Sequence, residues 1–132
     1  MDKEFLDMCD PQQGGQWVQG RWIPIIGDIT DKGIVTSVVM TPEFFIIVKV
    51  IQGHKQPYNR KDLIFMPSSH VIDAWLPENE GYKVTKNVMS TNEKWICSNW
   101  DRDFIADLEI KVRLKHAAWV LEKLEWSGKK WE

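Results

Sequence analysis

The spacing of apolar and polar residues changes several times along this chain, and each change predicts a different element. Residues 2–9 set Phe5, Leu6, Met8 and Cys9 behind the acidic Asp2 and Glu4, the pattern of a short N-terminal helix that Pro11 ends. Gln12 to Gly20 is rich in Gly and Gln and reads as a loop carrying Trp17 and Val18. Trp22-Ile23-Pro24-Ile25-Ile26 is a short apolar run, followed by a turn at Gly27-Asp28. From Gly33 onward β-branched residues dominate, and Ile34 to Met40 reads as a strand broken by Thr41-Pro42-Glu43. Phe44 to Ile51 is a near-continuous apolar run, which predicts a central strand covered on both faces. After the turn-rich Gln52 to Pro57, Leu63 to Met66 predicts a third strand, so that the three form an antiparallel meander.

Further along, Val71 to Leu76 is expected as a fourth strand stopped by Pro77, and Trp95-Ile96-Cys97 as a fifth. Asn79 to Lys94 is polar and ambiguous. In the last third Ile110, Leu114, Ala117, Leu121 and Leu124 recur at alternating steps of 4 and 3, one stripe of a helix with Asp101 or Asp103 as N-cap. The segment Leu108 to Lys115 also alternates apolar and charged residues strictly, so helix and strand both remain open over 107–115. The fold expected is α+β. It consists of a small antiparallel sheet or a partly open SH3-like β-barrel, with a short N-terminal helix and a C-terminal helix packed on it. One domain over residues 1–132 is expected, with a β-rich body at about 22–98 and the C-terminal helix at about 103–125.

Composition mainly removes possibilities. Hydrophobic residues at 43% and charged residues at 27% of 132 predict a folded core. The 17 basic and 19 acidic residues are evenly spread, which excludes a basic nucleic-acid arm and an acidic DNA mimic, since both need a large field of one sign. An acidic N-terminus and the lack of a long apolar run predict a soluble protein of the cytoplasm, with no membrane association. Cys9 and Cys97 are expected as reduced, buried thiols. His54, His70 and His116 lack metal-ligand spacing, and no phosphate-loop, dinucleotide or nucleophile-elbow motif is present. No metal, no cofactor and no enzymatic activity are therefore expected.

Several segments carry a resemblance. Phe5-Leu6-Asp7-Met8-Cys9-Asp10, Trp22-Ile23-Pro24-Ile25-Ile26-Gly27-Asp28, Trp75-Leu76-Pro77 and Trp126-Ser127-Gly128-Lys129-Lys130-Trp131 occur in that order. Together they resemble a group of small proteins of bacteriophages and prophages of Gram-positive bacteria. That group shares a Met-Cys-Asp start, a W-x-P-x-x-G-D segment, a W-L-P segment and a W-x-G-x-x-W ending. The chain departs from the group after Trp-Leu-Pro, where Glu78-Asn79-Glu80-Gly81 replaces a Gln-rich stretch. The resemblance implies a phage accessory protein of the bacterial host cell and assigns no activity.

Eight Trp residues make binding the natural function to expect, because Trp supplies a large rigid contact surface. The expected partner is a host or phage protein, with inhibition of a host defence system as the specific version and nucleic acid as a further possible target. Trp17 and Val18 in the N-terminal loop, and Trp100, are the candidate contact residues, with Trp131 also a candidate for exposure. Arg60 and Lys61, beside a Trp, form the alternative, a clamp for a small anionic ligand, a nucleotide or single-stranded nucleic acid.

Overall fold

A computed structural model describes residues 2–40, 44–49, 55–87 and 94–132. The chain forms two compact units, Met1–Pro67 with Gly128–Trp131 and Ser68–Ser127 with Glu132, where a single domain was expected.

The first unit opens with helix α1, Lys3–Cys9, started by the Asp2 carboxylate accepting from the Phe5 N–H at 2.9 Å. It buries Phe5, Met8 and Cys9. Asp10 caps the next element in the same way, accepting from the Gln12 N–H at 2.9 Å ahead of the 3-10 turn Pro11–Gln13. The segment expected as a loop then forms a single helical turn, α2, at Gln16–Gln19, which buries Trp17 and Val18. Two glycines permit this. Gly14 has φ +87°, and a Cβ on Gly15 would stand 2.6 Å from the Cys9 carbonyl carbon, so no other residue fits without moving backbone.

Strands β1 (Ile29–Thr30), β2 (Gly33–Met40), β3 (Phe44–Lys49) and β4 (Lys55–Asn59) form one antiparallel sheet in that order. The run read as the central strand does lie between two partners. Its expected last residues, Val50 and Ile51, the break at 41–43 and the turn at 52–54 lie outside the described residues. The third member of the meander is a correction: Lys55–Asn59 pairs with β3, not Leu63 to Met66. Sequence pattern hid this strand because Lys55, Gln56 and Pro57 are exposed and polar or ring-closed, and β4 is an edge, where a sheet tolerates proline. Of the expected strand, Phe65 alone makes a bridge, to Thr30.

In the second unit, Val71 to Leu76 belongs to a helix, α3 at Ser69–Trp75, and not to a strand. A short apolar run does not distinguish the two, and the deciding residue is Ser68, whose side chain accepts from the Val71 N–H at 3.3 Å. Strands β5 (Tyr82–Asn87), β6 (Lys94–Asn99) and β7 (Asp103–Ala106) make a second antiparallel sheet, which contains the fifth strand expected around Trp95 to Cys97. Residues 88–93 of the ambiguous segment lie outside the described residues.

Helix α4 runs over Glu109–Glu122 and ends at Lys123 in the left-handed region, φ +55°. Asp101 and Asp103 do not cap it. Asp103 begins β7, and the N-cap is Leu108, which makes no side-chain bond. The open choice over 107–115 resolves as helix, helped by i,i+4 pairs between Lys111 and Asp107 at 2.9 Å and between Arg113 and Glu109 at 2.9 Å. The buried face also differs from the expected stripe. It comprises Lys111, Val112, Leu114, His116, Ala117 and Ala118, whereas Ile110 and Leu121 are half-buried and Leu124 lies beyond the helix. α4 packs on β6 and β7 over a core of Cys97, Phe104, Ala106 and Val112. The fold is thus α+β with two open sheets, and no closed barrel occurs among the described residues.

Candidate functional site

Two surfaces of the first unit meet the requirements of a binding site, and both depend on loops held by side chains. The first centres on Arg60, placed by the 3-10 turn Arg60–Asp62 that follows β4. Its Nη2 donates to the Gln19 carbonyl at 2.9 Å, the last of α2, which also accepts from the Trp22 N–H at 3.2 Å, and to the Trp22 carbonyl. Gln19 is the second anchor. Its Nε2 donates to the carbonyls of Cys9 at 2.9 Å and Phe65 at 3.0 Å, and its Oε1 accepts from the Phe65 N–H at 2.9 Å. Trp22 stacks on Phe65 with ring centroids 5.0 Å apart and planes within 2°. The Arg60 guanidinium lies 5.9 Å from the Trp22 ring centre. Around these residues opens a groove of about 760 Å³ lined by Gln19, Gly20, Trp22, Asn59, Arg60 and Lys61, with Pro11 and Leu63 beside them.

The second surface is apolar. Ile23, Ile25, Ile26, Ile29 and Ile34 are each between 52% and 81% exposed. Their backbone is well tied. Asp28 Oδ2 accepts from the Trp22 indole at 2.8 Å and from the Ile25 N–H at 2.9 Å, while Gly27 N–H donates to the Val35 carbonyl at 2.8 Å. Ile29 and Ile34 are opposite one another in the β1–β2 register and so point to the same face. Single exposed isoleucines are ordinary, but five within twelve residues on a hydrogen-bonded frame are a marked local concentration.

The residues nominated from sequence distribute unevenly over these surfaces. Arg60 and Lys61 come together at the groove with a Trp, and that Trp is Trp22. Trp17 and Val18 do not belong to any surface. Trp17 is 8% exposed and meets the edge of Trp131 at 5.4 Å, and Val18 is fully buried. Trp131, considered for exposure, is buried as well, its indole donating to the Met8 carbonyl at 2.7 Å. A loop that forms a helical turn around two glycines turns its aromatic residue inward, which pattern alone did not reveal. Trp100, in the second unit, is 89% exposed at the tip of the β6–β7 turn, where Asn99 Oδ1 accepts from the N–H groups of Asp101 and Arg102. Sequence reading missed the isoleucines. The available signal was an apolar run interrupted by Pro24 and ended by Gly27, too irregular to bury one face of a strand or helix.

The basic group on α4 is occupied within its own unit: Lys111 is buried against Asp107, Arg113 bonds Glu109, and Lys115 donates to the Ile105 carbonyl at 2.8 Å. Burial pushes the Cys9 thiol far up from its ordinary value, and it pushes Cys97 up to about 11 despite the opposing charge of Arg113. Both therefore stay protonated at neutral pH, and the thiolate is the nucleophilic form. Among the described residues no three His, Cys, Asp or Glu side chains group as metal ligands, and no helix is long and apolar enough to cross a membrane. Comparison with protein-family models, curated proteins and solved structures finds no match to this chain. Fold and site together define a two-unit α+β protein with an exposed isoleucine surface and a separate cation-lined groove.

Proposed function

We propose that this chain is a non-enzymatic phage or prophage accessory protein that acts in the bacterial cytoplasm by binding a host or phage protein. Inhibition of a host defence system is the specific form of that role. The observation that carries the reading is the isoleucine surface from Ile23 to Ile34, which is apolar, exposed and held in place before any partner arrives. Each isoleucine covered by a partner contributes at most about 1.5–3 kcal/mol, and a preset loop loses little freedom on binding. The resemblance of the Trp22 to Asp28 segment to phage proteins supports the context, because this segment builds the surface. Affinity capture from nuclease-treated host lysate tests it, with wild type beside the double variant Ile23→Asp, Ile26→Asp. A protein held by wild type and lost from the folded variant supports the proposal. Equal capture by both, or no saturable protein partner, overturns it.

A further inference from the structure

We infer that the groove beside Arg60 is a binding site for a small phosphate-bearing ligand of nucleotide size, separate from the isoleucine surface. A volume of about 760 Å³ lies within the roughly 300–1,000 Å³ of small-molecule sites. Of the described residues lining it, two are cations, Arg60 and Lys61, and none is acidic. Two adjacent positive charges match the double negative charge of a phosphate monoester better than the single charge of a carboxylate.

Arg60 is already oriented for such a role. Its Nη2 is held by the Gln19 and Trp22 carbonyls, and the donors on Nε and Nη1 have no partner among the described residues. A guanidinium fixed in this way loses little freedom when an oxyanion arrives. Lys61 is exposed and makes no ion pair among the described residues, so its ammonium is free to close on the same anion. The rest of the ligand would lie against Pro11 and Leu63. The Trp22 ring is stacked on Phe65 and only 2% exposed, so none of the described lining residues offers an aromatic platform, and the phosphate, not a stacked base, carries recognition.

Isothermal titration of the full chain with AMP, inorganic phosphate and adenosine tests this. AMP is expected to bind saturably, inorganic phosphate to bind and compete with it, and adenosine not to bind. Lys61→Glu should weaken AMP at least about tenfold while leaving the melting temperature unchanged, because Lys61 is exposed and makes no ion pair among the described residues. Arg60→Lys keeps a charge but loses the planar guanidinium that holds the Gln19 and Trp22 carbonyls while leaving Nε and Nη1 for the anion, and should weaken AMP as well. Adenosine binding as tightly as AMP, unchanged affinity in Lys61→Glu, or no saturable binding of either phosphate probe up to about 10 mM overturns the assignment. The isoleucine variants should bind AMP normally, so the two proposals fail independently.

Discussion

In the first unit, single side chains reach far along the sequence to hold backbone: Gln19 to Cys9 and Phe65, Arg60 to Gln19 and Trp22, Trp131 to Met8. In the second, Lys111–Asp107 and Arg113–Glu109 pair across one helical turn, and longer-range polar bonds run mostly between side chains: Glu80 meets His116 Nε2 and Asn99 Nδ2, each at 3.0 Å, and Arg102 pairs with Glu125 at 2.7 Å. The contrast follows from how much regular structure each unit has around its core. Short turns leave carbonyls and N–H groups that no ladder satisfies, so side chains must reach them. A sheet covered by a 14-residue helix satisfies most of its own backbone and needs a side-chain anchor at few places.

The sharpest way to break that contrast is at Gly15. Gly15→Val places side-chain carbon against the Cys9 backbone, where even a Cβ has only 2.6 Å, and should cost about 3 kcal/mol or more. Hydrogen exchange should show the loss in β2 amides and spare β6, whereas uniform loss would mean that the units unfold together. Next is Gln19→Leu, which leaves the Phe65 N–H and two carbonyls without their partner and should cost about 2–3 kcal/mol in a urea titration.

The third prediction concerns Glu80 and acid. Burial raises its pKa, but the hydrogen bonds from His116 and Asn99 outweigh this and hold it below its ordinary 4.5. Its ionised form therefore stabilises the fold fully above about pH 4.5, and that contribution disappears as pH falls through the lower folded value. The urea midpoint of wild type should decline more steeply below that point than that of Glu80→Gln, and parallel curves would remove Glu80 from the account. The smallest effect is expected at Trp100. Trp100→Ala should change stability by less than about 0.5 kcal/mol by thermal melting, since the ring is exposed. Any loss of partner capture in that variant would then report contact, not folding.

Legibility in the sequence tracked the same division. The β2 and β3 runs were readable from β-branched content and an unbroken apolar stretch, and the N-terminal helix and the helical end of α4 from the spacing of their apolar residues. Strand β4 was not, since an exposed edge needs no apolar alternation, and α3 was not, since the deciding signal was one serine ahead of the run. On α4 the stripe was placed a little off because Lys111 and His116 are buried with partners, Asp107 and Glu80, that hydropathy does not register. At the candidate sites, Arg60 and Lys61 were visible as adjacent cations. Trp17 was misread because the fate of a Trp in a Gly-rich stretch depends on whether the glycines permit a close turn, here against Cys9. The isoleucine surface had no period to detect.

Trp131 gives the first unit an unusual order of assembly. The ring that meets Trp17 and bonds Met8 is encoded after the whole of residues 68–127, so about 60 residues separate the body of this unit from its closing piece. At roughly 5–20 residues per second, a ribosome needs about 3–12 s to add that stretch. During that time the pocket for Trp131 around Met8, Gln13 and Trp17 stands open on a nascent chain, whereas the strands and long helix of the second unit all lie within the one stretch being added. The tetrapeptide Gly128–Trp131 thus works as a closing piece, and the first unit becomes native only after the stretch 68–127 has been added.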